Sequence, residues 1–296
     1  MEVSKKQNAD NFVPPRKTAA IEALLKVNKV DHPIAKQYLE EFEAYQKNIE
    51  NHLSQFPKKE EIVLPELQPI PVDNLYEVFK EGFKFFNGKP FDEDSNNSEG
   101  RKLARTLCAY FLQKEGFYKS PLLNNKSNPN LNKGLMIIGS YGTGKTSILK
   151  TFYQIFANAN NHPITVIDKN GTSQFLGRYK LGFGYFTAND VVKQFEAIVD
   201  HPEKEAFWKR YSTGIKYFDD IMTENTASNY GKTEVFKDIL EMRYSNSAKT
   251  LISLNYIGSS VSDTLDGMAV KYGERVYDRL VEMFNIIELK GESLRK

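Results

Sequence analysis

The sequence predicts an α/β fold built on a central, mostly parallel sheet with helices on both faces. Three observations predict it. Residues 134–150 read as a short apolar strand, a glycine-rich loop and the start of an amphipathic helix. Ile215-Lys216-Tyr217-Phe218-Asp219-Asp220-Ile221 reads as a largely apolar strand ending in two acids. Thr250-Leu251-Ile252-Ser253-Leu254-Asn255 reads as a further strand with a polar tip. Strands of this kind, separated by helical stretches, pair in parallel and bind ligands beyond their carboxyl ends.

In chain order, residues 1–16 are polar and end in Pro14-Pro15-Arg16, the composition of a poorly ordered terminus. Residues 17–28 and 32–55 read as helices. In the second, Ile34, Tyr38, Leu39, Phe42, Tyr45, Ile49 and Leu53 fall near helical spacing, with charges on the other face. Asp31 and Asp73 are candidate helix caps. Pro57, Pro65, Pro69 and Pro71 punctuate an extended linker. The expected division is therefore a helical region with its linker over 1–71 and a second domain over 72–296. Residues 73–87 and 98–115 read as helices, with polar loops at 87–97 and 120–133. Cys108 is expected to pack with Leu103, Leu107 and Phe111.

Leu135–Ile138 suits a buried strand. Gly139, Gly144, Lys145 and Thr146 then satisfy G-x-x-x-x-G-K-[ST], with Gly142 as an extra glycine. The following helix is expected to bury Ile148, Leu149, Phe152, Ile155 and Phe156. Glycines let backbone N–H groups converge on phosphate oxygens, and the helix N-terminus adds its positive dipole end. In this pattern Lys145 reaches the β- and γ-phosphates and the Thr146 hydroxyl binds Mg²⁺. The expected nucleotide-binding set is Gly139, Ser140, Tyr141, Gly142, Thr143, Gly144, Lys145, Thr146 and Ser147. A chance glycine-rich turn is the competing reading, and the strand, loop and helix order disfavours it.

Ile164–Ile167 reads as a strand and residues 188–199 as a helix. Between them lie Lys169, Phe175, Arg178, Tyr179, Lys180 and Phe183. Interleaved basic and aromatic residues suit single-stranded nucleic acid, and a solvated loop with tucked-in aromatics is the alternative. At the acidic strand, Asp219 is expected to hold Mg²⁺ and Asp220 to polarise an attacking water as general base. Two adjacent acids at the end of a buried strand are costly without a cation, although capping or turn aspartates remain open. Asn255 sits where a polar side chain would touch the γ-phosphate or the lytic water; an Asn ending a strand also serves in turns. Residues 272–284 read as a helix with Arg275 and Arg279 on one face. Surface pairing with Glu274, Asp278 and Glu282 is the alternative for those arginines.

Taken together, these residues resemble the AAA+ ATPases of the DnaC/DnaI helicase-loader and IstB-like branch. The matching positions are Gly139 to Thr146, Asp219-Asp220-Ile221 with Glu224 beyond, Leu254-Asn255 and Gly273-Glu274-Arg275…Asp278-Arg279-Leu280, spanning roughly 130–296. The resemblance implies a P-loop AAA+ core without a C-terminal helical lid; 17 residues follow Arg279. It implies ATP and Mg²⁺ as cofactors. Lys145, Asp219, Asp220, Asn255 (sensor 1), Arg279 (the arginine finger) and Arg275 (a second candidate) become the catalytic set, and Thr146 and Asp219 the metal ligands. Arg295, in Gly291-Glu292-Ser293-Leu294-Arg295, is similar to the final arginine of the loaders and implies a sensor 2. Many related ATPases carry Glu where Asp220 stands, so water activation by the shorter acid is expected to be slower. The implied function is an ATP-dependent loader of a replicative helicase. The helicase would dock on the N-terminal region, and single-stranded DNA and nucleotide would promote self-association. An IstB-like transposition helper and a nucleotide-gated binding module with little turnover are the alternatives. A P-loop kinase is disfavoured, because the adjacent acids, Asn255 and the arginines have no kinase role.

Composition narrows the classes further. The 296 residues carry 40 basic and 38 acidic side chains, a net charge of +2, so any nucleic-acid surface must be a local patch. One cysteine excludes an intrachain disulfide framework and a zinc ribbon. His32, His52, His162 and His201 lack metal-ligand spacing. No apolar run reaches membrane-span length and no signal-peptide core is present, so a cytoplasmic protein is expected.

Overall fold

The structure is a computed structural model that describes residues 14–54, 66–228 and 232–294. The chain divides into two compact units, Met1–Pro65 and Glu66–Lys296. In the first, helix α1 (Ala19–Lys26) starts at Thr18, whose side chain accepts the Ile21 N–H. Helix α2 is Pro33–Ser54. Its Tyr38, Phe42 and Tyr45 rings follow one another at 5.9 and 6.1 Å along one face, which stays half-buried.

The second unit begins inside the proline-rich stretch, with Ile70 buried in its core. Its elements are α3 (Val72–Asn87), α4 (Ser95–Phe111), β1 (Gly134–Gly139), α5 (Lys145–Asn158), β2 (Thr165–Ile167), β3 (Ser173–Phe175), β4 (Gly184–Thr187), α6 (Ala188–Glu196), α7 (His201–Ser212), β5 (Lys216–Asp219), β6 (Ala227–Ser228), β7 (Lys232–Thr233), α8 (Val235–Ser245), β8 (Thr250–Leu254), α9 (Val261–Tyr272), α10 (Glu274–Met283) and β9 (Phe284–Leu289). The main sheet runs β4-β5-β8-β1-β9, and each neighbouring pair is parallel. Short hairpins β2-β3 and β6-β7 stand outside it.

Alternation along the central strands fills two layers. Leu135 and Ile137 of β1, with Tyr217 and Leu251, face α3, α4 and α5; Phe79 and Phe152 stack there at 4.7 Å. Met136 and Ile138, with Phe218 and Ile252, face the layer built by α6 to α10. Strands covered on both faces need continuous apolar runs, as β1 and β8 have. Cys108 is buried in the first layer.

Several elements differ from the sequence expectation. Ile167 belongs to the β2-β3 hairpin rather than to the main sheet. α6 ends at Glu196, and α7, α8, α9 and β9 were not foreseen. β9 follows α10 without a glycine or proline, turning at Phe284 from helical to extended backbone (φ −125°, ψ 144°). Its outer edge is covered by a chain segment: Asn124 N–H donates to the Ile286 carbonyl at 2.8 Å, and Glu288 N–H to Leu122 at 2.9 Å. Among the described residues no helix is long and apolar enough to cross a membrane.

Candidate functional site

The carboxyl ends of β1, β5 and β8 meet at one cavity of about 920 Å³. Gly139 ends β1 and Lys145 opens α5, so the intervening loop turns at the helix N-terminus. Gly142 and Gly144 have φ of +76° and +95°, a conformation that glycine adopts without a Cβ clash. The Thr143 hydroxyl donates to the Ser140 carbonyl at 2.9 Å and tightens the loop. Tyr141 is exposed at the mouth, and Ser147 lines the cavity in the first turn of α5.

Lys145 is buried, and its ammonium donates to the carbonyls of Gly139 at 2.7 Å and Ser140 at 2.8 Å and to Asn255 Oδ1 at 3.0 Å. Asn255 thus reaches from the end of β8 to the loop lysine. Its Nδ2 stands 3.5 Å from Asp220 Oδ1. Asp220 lines the cavity with left-handed backbone, φ 56°. Aspartate tolerates that region better than most residues, yet the conformation carries some strain.

Asp219 is 2 % exposed, and among the described residues the groups that hydrogen-bond its carboxylate are all hydroxyls. Tyr217 and Ser253 each donate to Oδ1 at 2.5 Å, Thr146 donates to the same oxygen at 3.0 Å, and Tyr185 donates to Oδ2 at 3.2 Å. None of the ion pairs among the described residues involves it. A buried carboxylate so arranged is stabilised by a cation. The donor set also fits a hard divalent ion, which takes carboxylate and hydroxyl oxygens. Burial and the Asp219 charge push the Tyr217 and Tyr185 hydroxyls well above their ordinary pKa, so both remain donors at neutral pH.

Some expected residues lie elsewhere. Glu224 is buried in a pair with Lys271 at 2.8 Å and accepts the Tyr272 hydroxyl at 2.6 Å; it does not line the cavity. Arg275 is exposed, 3.8 Å from Glu241, and Arg279 stacks its guanidinium 4.4 Å over the Tyr244 ring. Neither arginine lines the cavity, and their partners are on α8 rather than on α10 itself. Arg279 Nη1 is buried without a hydrogen-bond partner. Arg295 lies outside the described residues.

The basic and aromatic segment is partly absorbed by the fold. Phe183 is buried and stacks on Phe111 at 5.5 Å, Tyr179 donates to the Gln68 carbonyl at 2.7 Å, and Arg178 donates to Gln174 at 2.9 Å. Lys169, Phe175 and Lys180 remain exposed. Sequence reasoning missed Tyr185, Tyr217 and Ser253 around Asp219. It also missed Pro90, Phe91, Ser95, Ser293 and Leu294, which line the cavity. Only Tyr217 left a signal, two places before Asp219 and so on the same face of the strand.

No family model matches the chain, and no curated protein does. Solved structures similar to it include the two that follow. The crystal structure of the DnaC helicase loader is 20% identical, with a TM-score of 0.43, over 66% of this chain and 93% of that one. The crystal structure of the DnaI is 16% identical, with a TM-score of 0.40, over 73% of this chain and 93% of that one.

Proposed function

We propose that this chain is a Mg²⁺-dependent ATPase that serves as a helicase loader or a similar accessory ATPase of DNA replication. One observation carries the ATPase reading. The Thr146 hydroxyl and the buried Asp219 carboxylate stand 3.0 Å apart beside Lys145, at a cavity that Asp220 and Asn255 also line. The loader reading rests on the order of sequence motifs.

In this reading Lys145 exchanges its carbonyl and amide acceptors for β- and γ-phosphate oxygens, a stronger charged pairing. Gly142 and Gly144 let the loop amides face the phosphates. Thr146 and Asp219 hold Mg²⁺, which neutralises phosphate charge when bound. Asp220 accepts the proton of the attacking water, and Asn255, between Lys145 and Asp220, orients that water. Arg279 is supplied by a neighbouring subunit and stabilises charge that develops in the transition state. The half-buried face of α2 in the first unit is the surface offered to the helicase. Lys169, Phe175 and Lys180 are the residues offered to single-stranded DNA.

The second reading is a nucleotide-gated module with little turnover. The aspartate at 220 favours it, because its carboxylate reaches one methylene less far than a glutamate would. Phosphate release by the full chain with Mg²⁺ and ATP, with and without single-stranded DNA, separates the two. Steady turnover that requires Mg²⁺ and is lost in Lys145→Ala supports the enzyme. Tight ATP binding with no turnover under either condition supports the module. Co-purification of the full chain with a replicative helicase, lost when residues 1–65 are removed and the second unit is left whole, tests the loader assignment.

A further inference from the structure

The last described residues, 290–294, form no helix or strand, yet they are tied down along their length. Asn96 Nδ2 donates to the Glu292 carbonyl at 2.7 Å, and the Glu292 N–H returns to Asn96 Oδ1 at 3.3 Å. Lys290 N–H donates to Glu99 at 3.2 Å. Further on, Leu294 N–H donates to the carbonyl of Gly142 in the phosphate loop at 2.9 Å. A Cβ on Gly142 would stand 2.1 Å from Ser293 Oγ, so the segment lies flush on that loop. Ser293 and Leu294 line the cavity; Asn96 does not.

Asn96 occupies an unusual place. It starts three successive left-handed residues, with φ of 52°, 55° and 62° at Asn96, Asn97 and Ser98, before α4 becomes regular. L-residues avoid that region, and asparagine is among the few that tolerate it. This backbone aims the Asn96 amide so that it pairs with both polar groups of the Glu292 backbone, as a neighbouring strand would. The contact joins positions 196 residues apart.

We propose that Asn96 is a positioning residue of the nucleotide site. It clamps the segment 290–294 so that Ser293 and Leu294 form a wall of the cavity against the phosphate loop. The inference rests on the reading that this cavity takes a nucleoside triphosphate. The segment is a wall and not a plug. With it in place the cavity keeps about 920 Å³, near the upper end of the roughly 300–1,000 Å³ common for small-molecule sites. Closing the clamp therefore tightens nucleotide binding, by ordering a contact surface before the ligand arrives.

Asn96→Gly is the diagnostic substitution, since glycine accepts the left-handed backbone and removes only the amide. It is combined with Leu294→Ala, which removes a wall side chain and leaves Arg295 in place, singly and together, in the otherwise full chain. The clamp predicts that each change raises the Kd and KM for Mg-ATP about tenfold, with the effect on KM rather than kcat, and that the double variant is no worse than either. Additive losses, or an Asn96→Gly protein that binds ATP like the wild type, overturn the wall. A second arm needs no nucleotide. Trypsin cleavage after Lys290, read by mass spectrometry, is faster in Asn96→Gly than in wild type if the amide holds the segment, and equal rates overturn the clamp. If the wild-type protein binds no ATP, the reading of the cavity fails, while the cleavage arm still decides the clamp.

Discussion

Tyr217 and Asp219 lie two places apart on β5, and the Tyr217 hydroxyl donates to the Asp219 carboxylate at 2.5 Å. The Tyr217 and Ser253 hydroxyl oxygens stand 3.0 Å apart, and Ser253 accepts the Asp220 N–H at 3.2 Å. One buried hydroxyl pair therefore fixes both acids of the strand. Tyr217→Phe and Ser253→Ala each remove a donor to Asp219 and leave the apolar packing largely intact. Each is expected to cost about 1 kcal/mol of stability, the net scale of one hydrogen bond. Each should also raise the Mg²⁺ concentration for half-maximal ATPase several-fold, with ATP binding retained. Mg²⁺ titration of phosphate release checks this, and an unchanged midpoint in both variants removes Asp219 from the metal site.

Asp220→Asn is a mild change in structure, because asparagine accepts the left-handed backbone that Asp220 adopts. The amide cannot take a proton. Hydrolysis is expected to fall by about 100-fold or more, while ATP binding stays close to wild type. Single-turnover hydrolysis beside a fluorescent-ATP titration checks both halves. A normal rate would place the base elsewhere. Glu224 is a poor substitute, because Lys271 and Tyr272 already hold it away from the cavity.

Arg279 lies outside its own chain's cavity, stacked on Tyr244. If it serves a neighbour's nucleotide, the specific ATPase rate rises with protein concentration. Arg279→Ala should lose about a thousandfold in hydrolysis with most ATP binding kept. Mixing Arg279→Ala with Lys145→Ala subunits should restore part of the activity, since one supplies the loop and the other the arginine. An inactive mixture that still co-assembles, or a fully active Arg279→Ala, contradicts the assignment and leaves Arg275 as the next residue to test.

Among the described residues Arg243 is the largest fully buried side chain, and none of their ion pairs involves it. Its guanidinium donates to the carbonyls of Tyr211, Gly214 and Lys249 at 2.8 Å each, and its Nε to the Thr250 hydroxyl at 2.8 Å. It joins the end of α7 and the turn into β5 to the start of β8. Burial pulls its pKa down to about 10, so it stays charged at neutral pH. Arg243→Met leaves several buried carbonyls without donors and is expected to cost about 3 kcal/mol or more. For a unit of this size that is a fall in Tm of about 10 °C. A thermal melt within a degree or two of wild type would show that water replaces the side chain.

Much of the frame was legible from local pattern. The apolar runs of β1, β5 and β8 end in Gly139, Asp219 and Asn255, and the phosphate loop stands between a strand and a helix. Tyr217 apart, the surroundings of Asp219 were not legible, because they depend on register across strands. Pairing of Phe218 with Ile252 is what brings Ser253 beside Asp219. β9 was hidden because Phe284 passes directly from helix to strand with no turn residue between. Asn96 looked like part of a polar loop, and its partner lies at the other end of the chain. Arg243 left no signal, because α8 was not foreseen and the carbonyls it serves lie on the end of α7, in the turn into β5 and just before β8.

The central claim is that a nucleoside triphosphate seats at the loop that ends in Lys145. Calorimetric titration of ATP with Mg²⁺ into the wild-type protein and into Lys145→Ala tests it most directly. Lys145 is buried with its ammonium at the loop carbonyls, so its loss removes the main positive charge facing the phosphates. The account predicts saturable one-to-one binding by the wild type and a loss of about 100-fold or more in the variant, the scale of one buried charged contact of roughly 3 kcal/mol. Equal affinity in the two proteins, with the variant still folded, would contradict it.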